Sequence, residues 1–377
     1  MKIFNKYTYL FLGILLLAGL IIFNFLPDLD REEFDQEVID NIVEGVTTTT
    51  IKSLENENDD RNEINPLPFE EEIILSDSEE SNIQEILKFN SFENKITGFD
   101  TYLLIGSDER SPEIALTRGT VNGKRADVII LGLVSKETGK VTLLSFPRDL
   151  LIKNSCTEKL ERINASYIKN ECGGRAENLA AAIYSISGIK VDHFASFDFE
   201  GFEEIIDSVD GIEICVDETQ REGYSFELQK GCQTVSGLTT LNWIVSRSTE
   251  VLVGEKVLDD EGNDISEWEL KRGVSDLTRI DRQQYVVVQL INELKNYESF
   301  NELNSFVTAL ENSFTIDENL SLNKAVEILW KFRNIDINNV SKVTTSVDYL
   351  TLEDGRQVLT LNKKIYDLLK EESVIDS

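Results

Sequence analysis

Histidine, proline and basic residues are all scarce in this sequence. A single histidine, His193, stands among 377 residues. An HExxH metalloprotease site and a His-rich zinc cage are therefore excluded, and a Ser-His-Asp triad could form only through that residue. Five prolines are far too few for a proline-rich linker protein. Four cysteines cannot build a disulfide scaffold of this length but suffice for two bridges. Lys and Arg number 37 against 69 Asp and Glu, a formal net charge of -32. A duplex nucleic-acid binder needs a basic face to displace counterions, so no nucleic-acid partner is expected. No GxGxxG follows a strand and no GxSxG is present. GTVNGKR at Gly119 to Arg125 fails as a P-loop: it is one residue short before its second glycine, and Arg125 stands where Ser or Thr should follow the lysine.

What is present begins with an uncharged apolar run from Tyr7 to Leu26, about the 20 residues that cross a bilayer core. Lys2 and Lys6 precede it, while Asp28, Asp30, Glu32 and Glu33 follow. Basic flanks stay cytoplasmic, so the rest of the chain is expected outside the cell membrane. A cleaved signal peptide would carry a shorter run and a small-x-small site. The run here continues into Phe25, Leu26 and Pro27, which favours an uncleaved anchor over residues 1–27. Residues 28–95 are rich in Asp, Glu, Asn and Thr and read as a solvated acidic tether, with short helices near Glu33 to Val43 and Ser81 to Phe89.

From Phe99 the pattern is that of an α/β domain. Short apolar runs predict buried strands at Thr101 to Gly106, Asp127 to Val134, Lys140 to Phe146, His193 to Phe199 and Gly211 to Val216. Helical patterns fall at Ala176 to Ser187, Phe199 to Val209, Arg279 to Lys295, Ser299 to Asn312, Leu322 to Phe332 and Leu361 to Glu371. The ETGK turn at Glu137 to Lys140 is short enough for a hairpin, so the sheet is expected to be mixed. The main domain is placed at 96–350, with 351–377 as a C-terminal helix and tail. No CxxC occurs, which leaves zinc poorly supported; on an outward-facing domain two disulfides are expected. Four cysteines allow three connectivities. The local pairs Cys156–Cys172 and Cys215–Cys232 are preferred, because each closes a loop that reads as irregular.

Chemistry concentrates in Asp and Arg residues at strand ends. GSDERS puts Asp108 and Arg110 after the first strand, KRADVII puts Arg125 and Asp127 before the second, and SFPRDL puts Arg148 and Asp149 after the third. Arg247 ends LNWIVSR, and SDLTRIDRQQ supplies Asp276, Arg279, Arg282, Gln283 and Gln284. Any one such pair, alone, reads as a structural ion pair. Repeated in so acidic a chain, the arginines suit an anionic ligand held by planar, bidentate donors. Carboxylates sharing that cleft would repel unless a cation such as Mg²⁺ lay between them. Together these are the parts of phosphoryl or pyrophosphoryl chemistry.

In order and spacing, GSDER, KRADVII, SFPRDL, RINASY, GGRAENL, VDHFASFDFEGFEEIIDSVDGIEICV, GCQTVSG and TRIDRQQ resemble the LytR-CpsA-Psr family of cell-wall glycopolymer transferases. Cys215 and Cys232 resemble its disulfide-bearing, actinobacterial-like members. The resemblance implies a three-layer α-β-α fold with a central mixed β-sheet, an apolar tunnel for a lipid tail and an N-terminal transmembrane helix. It implies transfer of a glycan with its phosphate from a polyprenyl-pyrophosphate carrier to peptidoglycan. Asp108 and Asp127 would hold Mg²⁺ and act in catalysis with Arg148 and Arg279. Arg110, Arg125, Arg247, Arg282 and Gln283 would bind the pyrophosphate, and Asp149 and Asp276 would orient arginines or act as base. Val245 departs from the pattern, since the family usually has a second arginine two positions before the one at Arg247. The acidic stretch LDDEGNDISEWE reads as a solvated loop rather than a lid. His193 reads as a satisfied core or rim residue. A lipid-pyrophosphate hydrolase and a non-catalytic lipid-binding scaffold are the alternatives.

Overall fold

The computed structural model describes residues 31–43, 73, 77–107, 125–272, 276–310 and 312–376. The apolar run 7–26 read as an anchor, and Asp108 and Arg110, lie outside the described residues. No helix among the described residues is long and apolar enough to cross a membrane.

The strands are β1 (Arg31–Glu32), β2 (Phe99–Ser107), β3 (Ala126–Ser135), β4 (Val141–Ser145), β5 (Leu151–Lys153), β6 (Leu160–Arg162), β7 (His193–Phe197), β8 (Ile212–Val216) and β9 (Gln220–Glu222). They continue as β10 (Phe226–Leu228), β11 (Gly231–Val235), β12 (Glu250–Val253), β13 (Glu267–Leu270), β14 (Thr315–Asp317), β15 (Ser341–Thr344), β16 (Val347–Thr351) and β17 (Gln357–Leu361). The α-helices are α1 (Gln36–Val43), α2 (Asp77–Asn90), α3 (Arg175–Ser187), α4 (Phe199–Ser208), α5 (Gly237–Val245), α6 (Asp276–Glu293), α7 (Phe300–Ala309), α8 (Leu322–Phe332) and α9 (Ile365–Glu371).

Seven strands form the central sheet in the order β1-β14-β7-β2-β3-β4-β15. The sheet is mixed, as the ETGK turn predicts: β3 runs antiparallel to both β2 and β4, while β2–β7 and β4–β15 are parallel. Its central strands are buried on both faces, which is why they read as continuous apolar runs rather than alternating ones. Leu103, Ile105, Ile129, Leu131 and Leu133 pack on one side with Leu179, Ala180 and Ile183 of α3 and with α1 and α9. Ile130, Val141 and Leu143 face the other side, against Val287 and Val288 of α6. Helices thus cover both faces.

Two expectations change. The GIEICV run is not a strand of the central sheet but half of a ribbon, β8–β11, whose register sets Cys215 opposite Cys232. Both local disulfides, Cys156–Cys172 and Cys215–Cys232, are formed. The described parts of the acidic 28–95 stretch are docked on the domain through their apolar residues: Phe34, Ile39, Ile42 and Ile83 are all 2% exposed or less. Glu32 accepts from Arg175 N at 2.7 Å. The buried Glu177 carboxylate accepts from Gly174 N at 2.6 Å and Asp35 N at 2.8 Å, so one side chain both caps α3 and fastens the N-terminal segment to it. Burial pushes the Glu177 carboxyl above its ordinary pKa.

Candidate active site

The strand ends of β2, β3 and β7 converge with α4, α5 and α6 around a shallow cleft that is open to solvent. A register shift between Gly106 and Ser107 breaks the β2–β3 ladder at its rim, where such bulges commonly re-aim side chains. Gly106 must lack a side chain here, because a Cβ would stand 2.8 Å from Val128. Phe197, Phe199, Phe202, Leu241, Ile244 and Val245 form the apolar wall, continuous with a hydrophobic cluster that includes Val286 of α6. Asp198 lines the cleft and caps α4, accepting from Gly201 N at 2.8 Å.

The polar side of the cleft carries Ser107, Asp127, Arg279 and Gln283. Arg279 is 4% exposed and Gln283 6%. Gln284, next in sequence, turns the other way: its amide donates to Leu143 O at 3.3 Å, Ser145 Oγ at 2.8 Å and Val343 O at 3.1 Å. That three-point anchor on β4 and β15 fixes the rotation of α6 and so directs Arg279 and Gln283 into the cleft. Arg148 reaches Asp127, donating from Nη1 to Oδ1 at 2.8 Å. Its Nε lies 3.5 Å from Asp149, whose other oxygen meets Arg162 Nε at 3.3 Å. Carboxylates and guanidiniums therefore alternate from Asp127 through Arg148 and Asp149 to Arg162, so Asp127 and Asp149 each face a cation rather than each other.

Of the residues expected at the site, Asp127, Arg279 and Gln283 line one cleft, and Arg148 joins them through Asp127. Arg125 lies part-buried directly before β3. Arg247 is exposed two residues beyond α5 and is not in the lining. Arg282 turns from the cleft: Nη1 donates to Trp243 O at 2.6 Å and Nη2 to Thr249 Oγ1 at 3.1 Å, with the guanidinium 5.1 Å above the Trp243 ring. Burial, more than the nearby Arg279, lowers its pKa to about 10, against an opposing pull from Glu222. Asp276 begins α6. Sequence reasoning missed Ser107, Asp198 and the apolar wall. Asp198 alone carried a signal, an aspartate directly before a helical pattern. His193 lies outside the cleft lining, half-buried, with Nδ1 3.1 Å from Asp317 Oδ2.

One exposed group of metal-ligating types occurs among the described residues, Glu213 with Cys215 and Cys232, ligand atoms within 4.8 Å of one another. Its two sulfurs are joined in a disulfide and supply no thiolate. Asp127 in the cleft instead offers carboxylate oxygen, the donor that Mg²⁺ takes.

Over 160 residues the chain is 30% identical to the probable cell wall biosynthesis protein LcpB of Corynebacterium glutamicum, covering 41% of this chain and 37% of that protein. It is 26% identical over 308 residues to the cell wall biosynthesis protein LcpA of the same organism, covering 71% and 54%. It is 25% identical over 235 residues to the polyisoprenyl-teichoic acid–peptidoglycan teichoic acid transferase TagU of Bacillus subtilis, covering 62% of each. The chain thus spans less than two-thirds of the length of these curated relatives. The crystal structure of B. subtilis TagV shares the fold, with a TM-score of 0.55 at 18% identity over 76% of this chain and 100% of that one. The LytR_cpsA_psr family model matches residues 69–254 and 268–374, omitting only the tip of the β12–β13 hairpin between its two segments, and on that match the chain belongs to the LytR_cpsA_psr family.

Proposed function

We propose that this protein transfers a glycopolymer, with its phosphate, from a polyprenyl-pyrophosphate carrier to a hydroxyl of peptidoglycan. One observation carries the reading: an apolar cleft walled by Phe197, Phe202, Leu241 and Ile244 opens beside Asp127, Arg279 and Gln283, with Arg148 bonded to Asp127. A polyprenyl chain is apolar and its diphosphate strongly anionic, so one ligand needs both halves of that surface. The names of LcpA and TagU point the same way. In this reading the N-terminal apolar run anchors the chain in the cell membrane and the α/β domain works outside it, where disulfides persist.

The acceptor oxygen bonds to the glycan-side phosphorus. The bridging P–O bond breaks, its electron pair stays on the departing polyprenyl phosphate, and the acceptor proton passes to a carboxylate base. In this reading Arg279 and Arg148 meet the negative charge that grows on the phosphate oxygens, and the apolar wall holds the lipid end of the donor. Asp127, with Asp108, would hold Mg²⁺, which when bound withdraws charge from the diphosphate. Arg148 is kept in its rotamer by carboxylates on two sides, so it meets the ligand already oriented.

The test is full-length protein in detergent with a labelled polyprenyl-pyrophosphate glycan and peptidoglycan. Label joined covalently to peptidoglycan supports transfer. Release of soluble glycan phosphate, unaffected by peptidoglycan, would instead mean hydrolysis, and binding with no turnover would leave only a lipid-binding role.

A further inference from the structure

Arg282 carries the same charge as Arg279 and lies three residues further along α6, yet it has no place in the cleft lining. Its fork is committed elsewhere. Trp243 O belongs to the last turn of α5, where carbonyls have no partner within the helix, and Arg282 Nη1 supplies one at 2.6 Å. A cation at a helix C-terminus is also favoured by the helix dipole. Nη2 reaches Thr249 Oγ1 at 3.1 Å, and that hydroxyl pairs with Ser246 Oγ at 2.7 Å. Ser246 is 1% exposed and Thr249 is fully buried. From the other side, Glu222 Oε1 accepts from Ser248 N at 2.9 Å, and Thr249 O accepts from Lys271 N at 2.8 Å. Of the four residues Ser246 to Thr249, three are thus pinned, and Arg247 is the exposed charged side chain that they carry.

We infer that Arg282 is a positioning residue: by clamping the end of α5 to Thr249 it presets the loop whose Arg247, outside the cleft lining itself, follows the lining residue Val245 by two positions and meets the anionic head of the donor at the rim. This rests on the transferase reading for its consequence but not for its geometry. The planar fork is what allows one side chain to hold two acceptors from different elements, which a lysine ammonium does less well. Deleting the fork frees the loop and lets Arg247 wander; donor binding then weakens while the reacting groups at Asp127 and Arg148 stay in place.

Two readouts on full-length protein test this, one independent of turnover. The first is native-state trypsin cleavage between Arg247 and Ser248, followed by mass spectrometry well below the unfolding midpoint. Cleavage of a folded chain reports local opening. Arg282→Met should raise its rate about tenfold, and Arg282→Lys should fall between that variant and the parent. Thr249→Val, which removes the far acceptor without touching α6, should also accelerate it and covers the case of a poorly folding Arg282 variant. The second readout is the donor KM. Arg282→Met should raise it with kcat little changed, as expected for lost ground-state binding, and the rise should vanish in an Arg247→Ala background. If cleavage is unchanged while turnover falls, or if the KM effect persists without Arg247, Arg282 touches the ligand itself and the inference is overturned. A parent protein with no turnover would refute the transferase reading, while the cleavage rates would still decide the clamp.

Discussion

The contact between Asp127 and Arg148 allows a quantitative forecast. The two groups are 2.8 Å apart, with side chains 17% and 20% exposed. At an effective dielectric near 20, unit charges at that separation attract by about 6 kcal/mol before desolvation is counted. Breaking a fully buried pair from one side costs about 3–5 kcal/mol; the residual exposure here lowers that range. The two truncations are not equivalent. Arg148→Met removes this partner from both Asp127 and Asp149, whereas Asp127→Asn leaves Arg148 beside Asp149. We expect Arg148→Met to destabilise by about 2–3 kcal/mol and Asp127→Asn by about 1 kcal/mol. The double variant should fall short of the sum by about 1–2 kcal/mol.

Urea unfolding of the four proteins at neutral pH measures this, with equal m-values as the condition for comparing them. Turnover is measured alongside. Arg148→Lys should keep most of the stability, because the charge is retained, but little of the activity, because a point charge cannot reproduce the fork. A coupling energy near zero would mean that the Asp127–Arg148 contact does not persist in solution, and the orientation argument for Arg148 would fail with it.

Three further outcomes follow from the packing. Replacing Cys215 and Cys232 by serine opens a loop of 17 residues and should cost about 3 kcal/mol in the chain-entropy model, read as a fall in urea midpoint. The loss should also reach α6, because Tyr285 Oη donates to Glu213 O at 3.0 Å beside the bridge; increased amide exchange in α6 would show it. Gly201→Ala places a Cβ 1.9 Å from Ser313 O, a clash with backbone that should cost more than about 3 kcal/mol or prevent folding, and a normal melting curve would contradict the α4 placement. His193 has its pKa raised above the ordinary value, first by its hydrogen bond to Asp317 and then by the charges of Asp317, Asp192 and Asp100, against an opposing effect of burial. Since the folded state holds this proton more tightly than the unfolded chain, the stabilisation is complete below about pH 6.5 and is lost as pH rises through the raised value. His193→Gln should flatten that part of the stability profile, and an unchanged slope would assign it to another group.

Much of the fold was legible because its central strands are buried on both sides. Predicted and observed limits of β2, β3 and β4 differ by only a residue or two at each end, since a run such as DVIILGLV has no other way to hide its side chains. Where burial is one-sided the reading slipped. In β8, Ile212 and Ile214 are buried but Glu213 and Cys215 are exposed, an alternation that belongs to a ribbon with one wet face. The acidic N-terminal segment misled for a related reason. Its net charge predicts solvation, yet Ile39 and Ile42 recur at helical spacing in QEVIDNIV, and both are 2% exposed. Average composition hides a two-residue stripe that is enough to dock one short helix.

At the site the charged half was readable and the apolar half was not. Asp127, Arg148 and Arg279 stand out because charge at the end of a buried strand or at the start of a helix demands a partner. Leu241 and Ile244 do not stand out, because apolar residues at helical spacing are what any packed helix shows. Arg282 exposes the deeper difficulty. In TRIDRQQ, Arg279 and Arg282 have equal standing as anion ligands, and helical periodicity puts them on nearly the same face. What separates them is a backbone carbonyl, Trp243 O, delivered by another helix. Every residue type has that carbonyl, so no sequence pattern encodes it. An arginine's partner can be read from sequence when that partner is a carboxylate side chain, and has to be found in the fold when it is the exposed end of a helix.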